Sequence, residues 1–275
     1  MNAYVMGFVV VSIASLLSIA GMLIVRRKVG TEMLSSFNDV GGNAFQVVGT
    51  FYAVLLGLIV VDAMSSMTDL RVTVDQEANA VGDTFILARG LPEKERYRIR
   101  GLCVQYVDTV LDEEWQAMRQ GMVSRDAIVC VSDLWDAVID FKPTDDAESD
   151  IRQMCLSNMA ELGDNRRARL IASQHGVAPE IWSVLIIGAM LTIAFSYFLS
   201  LPSLVAQILM TVIIATTLSL NVYLVYLFGY PLSGPYSIAP EGFLVDRMIF
   251  KMETSGRESL PPEKVFSPRK LLHDK

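Results

Sequence analysis

Charged residues are scarce in this sequence. Asp, Glu, Lys and Arg make up 19% of the 275 residues, whereas a soluble domain usually carries about 25%. Basic residues are also outnumbered, with 23 Lys and Arg against 30 Asp and Glu. Because proteins that bind nucleic acid need an excess of positive charge, this balance argues against a nucleic-acid partner.

Histidine and cysteine are rarer still. The chain has two His and three Cys residues, and Cys103, Cys130 and Cys155 show no paired spacing. Zinc sites and disulfide frameworks need paired ligands, so neither is expected. The sequence also lacks a phosphate-binding Gly-rich loop, a nucleophile elbow and an HExxH motif. We therefore expect no metal site, no cofactor and no enzymatic activity.

Apolar residues, in contrast, make up 52% of the chain and concentrate in four long runs. The runs cover residues 4–25, 42–61, 181–199 and 204–228. About 20 apolar residues allow a helix to cross the hydrocarbon core of a bilayer. Backbone polar groups inside that core must be hydrogen-bonded within the segment. Each run is therefore predicted to be a transmembrane helix.

The order of the runs predicts the domain organisation. The expected fold class is an all-α membrane protein with four transmembrane helices in two hairpins. An all-α polar domain is inserted between the second and third spans. The first hairpin is assigned to residues 1–64, the polar helical domain to 65–180, the second hairpin to 181–229, and a mostly irregular tail to 230–275. Since only residues 200–203 join the last two runs, those two helices are predicted to be antiparallel neighbours.

The polar insert carries most of the negative charge. Residues 63–180 include 21 Asp and Glu against 13 Lys and Arg, and such a field concentrates cations. Apolar residues recur there at helical spacing, which predicts amphipathic helices. The acidic cluster of residues 112–114 is expected on a solvated helix face, because adjacent helical carboxylates point to different sides.

The second span carries its polar side chains on one face. At 100° per residue, six residues fall within about 80° of one another. They are Asn43, Gln46, Thr50, Val54, Gly57 and Val61. Such a stripe lines a wetted pore or packs against another helix, and the residues alone favour packing. Asp62 ends the span, and in a symmetric oligomer it would form a ring of charge at a pore mouth.

The segment 52–57, with the sequence YAVLLG, resembles the signature of the bacterial bestrophin-like membrane proteins. The resemblance covers roughly residues 35–245, and further landmarks follow in the family's order. These landmarks are Glu77-Ala78, Leu91-Pro92, Glu114-Trp115, the segment 166–170, Trp182, Gly188, and the segments 230–234 and 238–243.

The resemblance implies a function. In true bestrophins, which are remote relatives, four spans and a helical cytoplasmic domain build each subunit of a pentameric channel, mostly for anions. The resemblance thus implies a homo-oligomeric ion channel, a pentamer if bestrophin-like, with the second span lining its pore. Its partners would be membrane lipid and a permeant inorganic ion. The bulky neck of those channels would match an alternative pore face on Tyr52, Leu56 and Ile59.

Two further points stay open at the level of sequence. The resemblance implies a multi-pass protein of the cell membrane with its polar domain and tail in the cytoplasm, whereas the basic residues 26–28 predict the opposite orientation. The acidic insert favours cations, whereas the remote relatives favour anions.

A rival hypothesis is a non-conducting membrane scaffold or regulatory protein whose helical insert binds a partner.

Overall fold

The computed structural model describes residues 3–36, 38–174 and 176–254 of the chain, and nearly all of them are helical. The described part contains no β-strand, as the all-α prediction requires. The helices are α1 (Ala3–Val29), α2 (Thr31–Ser36), α3 (Asn38–Leu87), α4 (Glu93–Thr109), α5 (Trp115–Met118), α6 (Arg125–Asp140), α7 (Asp146–Gln174), α8 (Pro179–Ser196), α9 (Leu204–Phe228) and α10 (Glu241–Thr254).

Four of the described helices are long and apolar enough to cross a membrane. They are α1, α3, α8 and α9. Helices α1, α3 and α9 each contain one of the predicted runs, and α8 contains the third run up to Ser196. Helix α3 has 50 residues, which corresponds to a rise of about 75 Å. Because the hydrocarbon core of a bilayer is only about 30 Å thick, the span occupies the first part of α3, and the rest continues as a more polar helix.

Local sequence sets the ends of these helices. Gly30 separates α1 from α2 with a φ of 82°, a conformation that glycine adopts without a steric penalty. Helix α8 begins at Pro179, where the missing N–H is not needed. Ser203 caps α9, since its hydroxyl accepts a hydrogen bond of 3.4 Å from the amide of Ala206.

The chain divides into two compact units. The first, called the membrane unit below, comprises Met1–Met67 and Gly176–Tyr236. The second, called the polar unit, comprises Thr68–His175 and Ser237–Lys275. The described residues 237–254 of the tail therefore group with the polar unit.

Within the membrane unit, α1 and α8 both pack against α9. Helix α3 contacts α8, where Phe45 stacks on Phe195 with ring centroids 5.8 Å apart. At the start of α3, the Asn38 amide donates to the carbonyl of Ser200 at 2.8 Å and accepts from its N–H at 3.0 Å. The arrangement in two hairpins is thus not confirmed, because the first span packs on the fourth. The order of the spans in the sequence does not determine which spans pack together. Packing depends on how well the side chains of two helices fit each other.

The polar unit contains a helix in the tail that the sequence did not predict. Helix α10 packs through two aromatic rings: Phe250 stacks on Phe85 at 3.9 Å, and Phe243 meets Tyr106 edge-on at 6.3 Å between centroids. Helix α10 covers residues 241–254 of the tail, which the sequence predicts to be mostly irregular. Residues 255–275 lie outside the described part, so the irregular chain expected there stays a prediction.

Candidate functional site: pore face and buried ion network

One side of the α3 span packs into the chain itself. Tyr52 and Leu56 are buried in a cluster with Leu185 of α8 and Val225 of α9, and Ile59 packs against the same cluster. The Tyr52 hydroxyl donates a hydrogen bond of 2.6 Å to the carbonyl of Leu185. In the alternative pore face, Tyr52 and Leu56 are therefore buried by the protein's own helices, and Ile59 is half-buried.

A close approach at Gly188 accompanies this packing. The ring of Tyr52 lies so near the Gly188 backbone that a Cβ atom at position 188 would overlap it. Only glycine lets the ring enter at this depth. Two landmarks of the family resemblance, the segment 52–57 and Gly188, are thus in direct contact.

The opposite side of the α3 span carries the polar stripe, and it is open. All six stripe residues are exposed in the single chain: Asn43, Gln46, Thr50, Val54, Gly57 and Val61. The Thr50 hydroxyl donates back to the Gln46 carbonyl at 2.7 Å. Among the described residues, no hydrogen bond ties the side chain of Asn43 or Gln46 to another helix. Packing within the chain therefore does not account for this stripe.

Asp62 lies at the end of the apolar run and is also exposed. It is offset from Val61 by about 100° around the helix. The next residue, Ala63, is buried. Asp62 therefore stands at the flank of the stripe, at the end where the span passes into the polar part of α3.

The polar unit encloses a network of charged and polar side chains that the sequence analysis did not predict. Its members are Glu77, Tyr106, Glu114, Arg166 and Arg169. Arg169 donates to both oxygens of Glu77, from Nε at 2.6 Å and from Nη2 at 2.7 Å. Its Nη2 also donates to Glu114 at 2.9 Å. Arg166 donates to the second oxygen of Glu114, and the Tyr106 hydroxyl donates to Glu77.

The network holds two carboxylates and two guanidinium groups, so its charges balance. Burial alone lowers the pKa of Arg169, but the adjacent Glu77 outweighs burial and raises that pKa well above its usual value. Burial, followed by the charge of Glu77, raises the pKa of Tyr106 well above its usual value. Arg169 therefore stays charged and Tyr106 stays neutral near pH 7, which suits a structural tie rather than a proton-transfer site.

The expected solvated position of Glu114 is wrong. The chain forms a π-helical turn over Val110–Glu114, and this turn places Glu114 in the interior with no exposed surface. A π turn changes the angular spacing of side chains, so a regular helical wheel cannot place them. Asp112, in contrast, stays exposed and pairs with Arg247 at 2.7 Å. The sequence carries one indication of the buried network: Glu77, Glu114 and the segment 166–170 are all landmarks of the family resemblance.

The fold and the four span-length apolar helices define an all-helical integral membrane protein. The sequence model of one family, the Bestrophin-like domain, matches residues 12–243. The chain therefore belongs to the Bestrophin-like family, as the resemblance predicts. A comparison with curated protein sequences finds no significant match.

Solved structures show the same fold at low sequence identity. A single-substitution variant of a bacterial bestrophin homologue from Klebsiella pneumoniae superposes with a TM-score of 0.70. That match has 13% identity and covers 90% of this chain and 99% of the homologue's chain. Another structure of a bacterial bestrophin homologue from Klebsiella pneumoniae gives a TM-score of 0.67 at 12% identity, covering 89% and 98% of the two chains.

Proposed function

We propose that this protein is a homo-oligomeric ion channel whose pore is lined by the outer face of α3. Membership in the Bestrophin-like family supports channel function. One observation carries the choice of face: Tyr52 and Leu56 are enclosed by α8 and α9, whereas the stripe from Asn43 to Val61 is exposed. Polar groups in a membrane face water or a protein interface, and the stripe finds neither inside the single chain.

The stripe divides the proposed pore into two parts. Asn43, Gln46 and Thr50 supply amides and a hydroxyl that keep one end hydrated. Val54 and Val61 are apolar, and Gly57 between them has no side chain. An apolar constriction of this kind gates by dewetting, because water and ions leave a narrow pore that offers them no hydrogen bonds.

The permeant species is an inorganic ion. A ring of Asp62 and the acidic polar domain favour cations, whereas the likeness to true bestrophins favours anions. The likeness also supports a cell-membrane location, a cytoplasmic polar domain and tail, and a pentamer. Reversal potentials under a salt gradient discriminate between cation and anion permeation.

Ion flux into liposomes containing the purified protein is the direct test. We expect flux above that of empty liposomes. In the variant Gly57→Trp the indole would fill the proposed constriction and abolish the flux. Gly49→Trp is the matched control, because a Cβ atom at either glycine meets no neighbouring atom and position 49 lies about 60° around the helix beyond Gln46, the edge of the stripe. Equal flux in both variants would contradict the pore assignment.

Substituted-cysteine labelling along residues 43–61 tests the face. A water-soluble thiol reagent should label cysteines placed on the stripe and spare those placed at Tyr52, Leu56 and Ile59. The native thiols give little background, because all three cysteines are buried and burial raises their pKa values. Labelling confined to the Tyr52 side would overturn the proposed face.

A further inference from the structure

We propose that a groove in the membrane unit binds one acyl chain of a phospholipid. Helices α1 and α8 form its walls and α9 forms its floor. Its volume is about 410 Å³, which lies within the range of small-molecule sites. The lining is almost entirely apolar, and small side chains, Ala14 on α1 and Ala189 on α8, leave the space between the walls open.

One end of the groove is marked by aromatic residues, Trp182 of α8 and Tyr226 of α9. The indole N–H of Trp182 donates to the Tyr230 hydroxyl at 3.1 Å. Trp and Tyr concentrate at the headgroup level of membranes, so this end lies at the interface and the groove leads from it into the hydrocarbon.

The length of the groove matches one leaflet. Its lining runs from Met6 to Ala14 on α1 and from Trp182 to Ile193 on α8. These stretches correspond to about 12 and 16 Å of helical rise. Half of a hydrocarbon core is about 15 Å. A phospholipid with its headgroup beside Trp182 would therefore lay one chain along the whole groove.

The environment of the groove favours an acyl chain as its occupant. Both walls are span-length apolar helices, so the medium next to the groove is lipid hydrocarbon. An empty groove forfeits dispersion contacts along its walls, and an acyl chain restores them without burying a polar group.

Quenching of Trp182 by brominated phospholipid tests the proposal. Trp115 and Trp135 belong to the polar unit, and the variant Trp182→Phe measures their background emission. In vesicles of phosphatidylcholine with brominated acyl chains, we expect strong quenching of Trp182. Ala14→Phe fills the groove and should remove a large part of that quenching. Ala20→Phe is the matched control, since Ala20 is exposed on the same helix and outside the groove.

A titration of the detergent-solubilised full chain separates specific binding from general lipid contact. Saturation of Trp182 quenching at one brominated phospholipid per chain supports the proposal. Quenching that rises without saturation, or that is equal in wild type and Ala14→Phe, overturns it. No quenching at all means that another copy of the chain covers the groove, which also overturns it. Ala189→Phe on the facing wall repeats the comparison if Ala14→Phe does not fold.

Discussion

At the scale of single residues, Arg169 shows how much the polar unit depends on one side chain. It is fully buried, and its guanidinium joins two helices to the π turn through Glu77 and Glu114. The same group lies 5.6 Å from the ring centroid of Trp115 and 6.0 Å from that of Phe243. Removing the guanidinium leaves the buried Glu77 without a counter-charge and Glu114 with Arg166 alone, and a buried carboxylate without a counter-charge is strongly unfavourable.

Arg169→Met should therefore lower the free energy of unfolding of the polar unit by about 3–5 kcal/mol. Arg167→Met is the matched control, because the Arg167 side chain is 70% exposed and pairs with Asp164 at the surface. An exposed pair of this kind contributes about 0–1 kcal/mol. Urea unfolding in detergent, followed by Trp115 fluorescence, measures both. Equal losses in the two variants would show that the buried network has no special role.

At the scale of elements, α3 and α10 differ in what their patterns reveal. The period of α3 predicts which residues share a face, because angular position depends only on spacing. The period does not predict which face of α3 packs against the other helices, since both faces of that span are rich in apolar residues. Helix α10 carries a weaker signal, because it has only 14 residues and follows a turn-rich segment, although its anchors Phe243 and Phe250 lie on one face at a spacing of seven residues.

Helix α10 contributes a carboxylate, Asp246, to its contact with α3. Asp246 lies against Gly82 of α3, where a Cβ atom would be 2.9 Å from its Oδ1. Its Oδ2 has no hydrogen-bond partner among the described residues. The charge of Asp83 and the thiol of Cys103 lie close to it. Burial, followed by the charge of Asp83, raises the pKa of Asp246 to about 7.

The docking of α10 should therefore weaken as the pH rises. An unfolded Asp ionises near pH 4, so between about pH 4 and 7 the folded state holds a proton that the unfolded state has released, and stability falls across that window. Asp246→Asn should remove this pH dependence, whereas Asp126→Asn, at an exposed position on α6, should retain it. Hydrogen exchange of α10, corrected for the intrinsic pH effect, measures the difference. An unchanged profile in Asp246→Asn would refute the prediction.

At the scale of the whole molecule, the proposed function exists only in an oligomer. One α3 per chain cannot enclose a pore, and one exposed Asp62 is an ordinary surface carboxylate. In a symmetric assembly the same carboxylates form a ring whose summed field acts on every ion that passes. A monomer in detergent would instead favour the non-conducting scaffold.

Asp62→Asn should lower the permeability of cations relative to anions, because it removes the ring of negative charge from the pore mouth. The readout is a shift of the reversal potential under a potassium chloride gradient toward the chloride equilibrium. Glu32→Gln removes one exposed carboxylate from α2 and serves as the control with the same change in net charge. Identical reversal potentials for wild type and Asp62→Asn would exclude Asp62 from the ion path.

The sequence by itself determined the helical class, the four spans and the polar stripe of the second span. These properties follow from the length of apolar runs and from the 3.6-residue period, which are local in the chain. Only the tertiary structure decided that α1 packs on α9, that Tyr52 turns inward onto Gly188, and that Arg169 meets Glu77 across 92 residues. Those outcomes depend on the fit and charge of distant side chains, which no local period records.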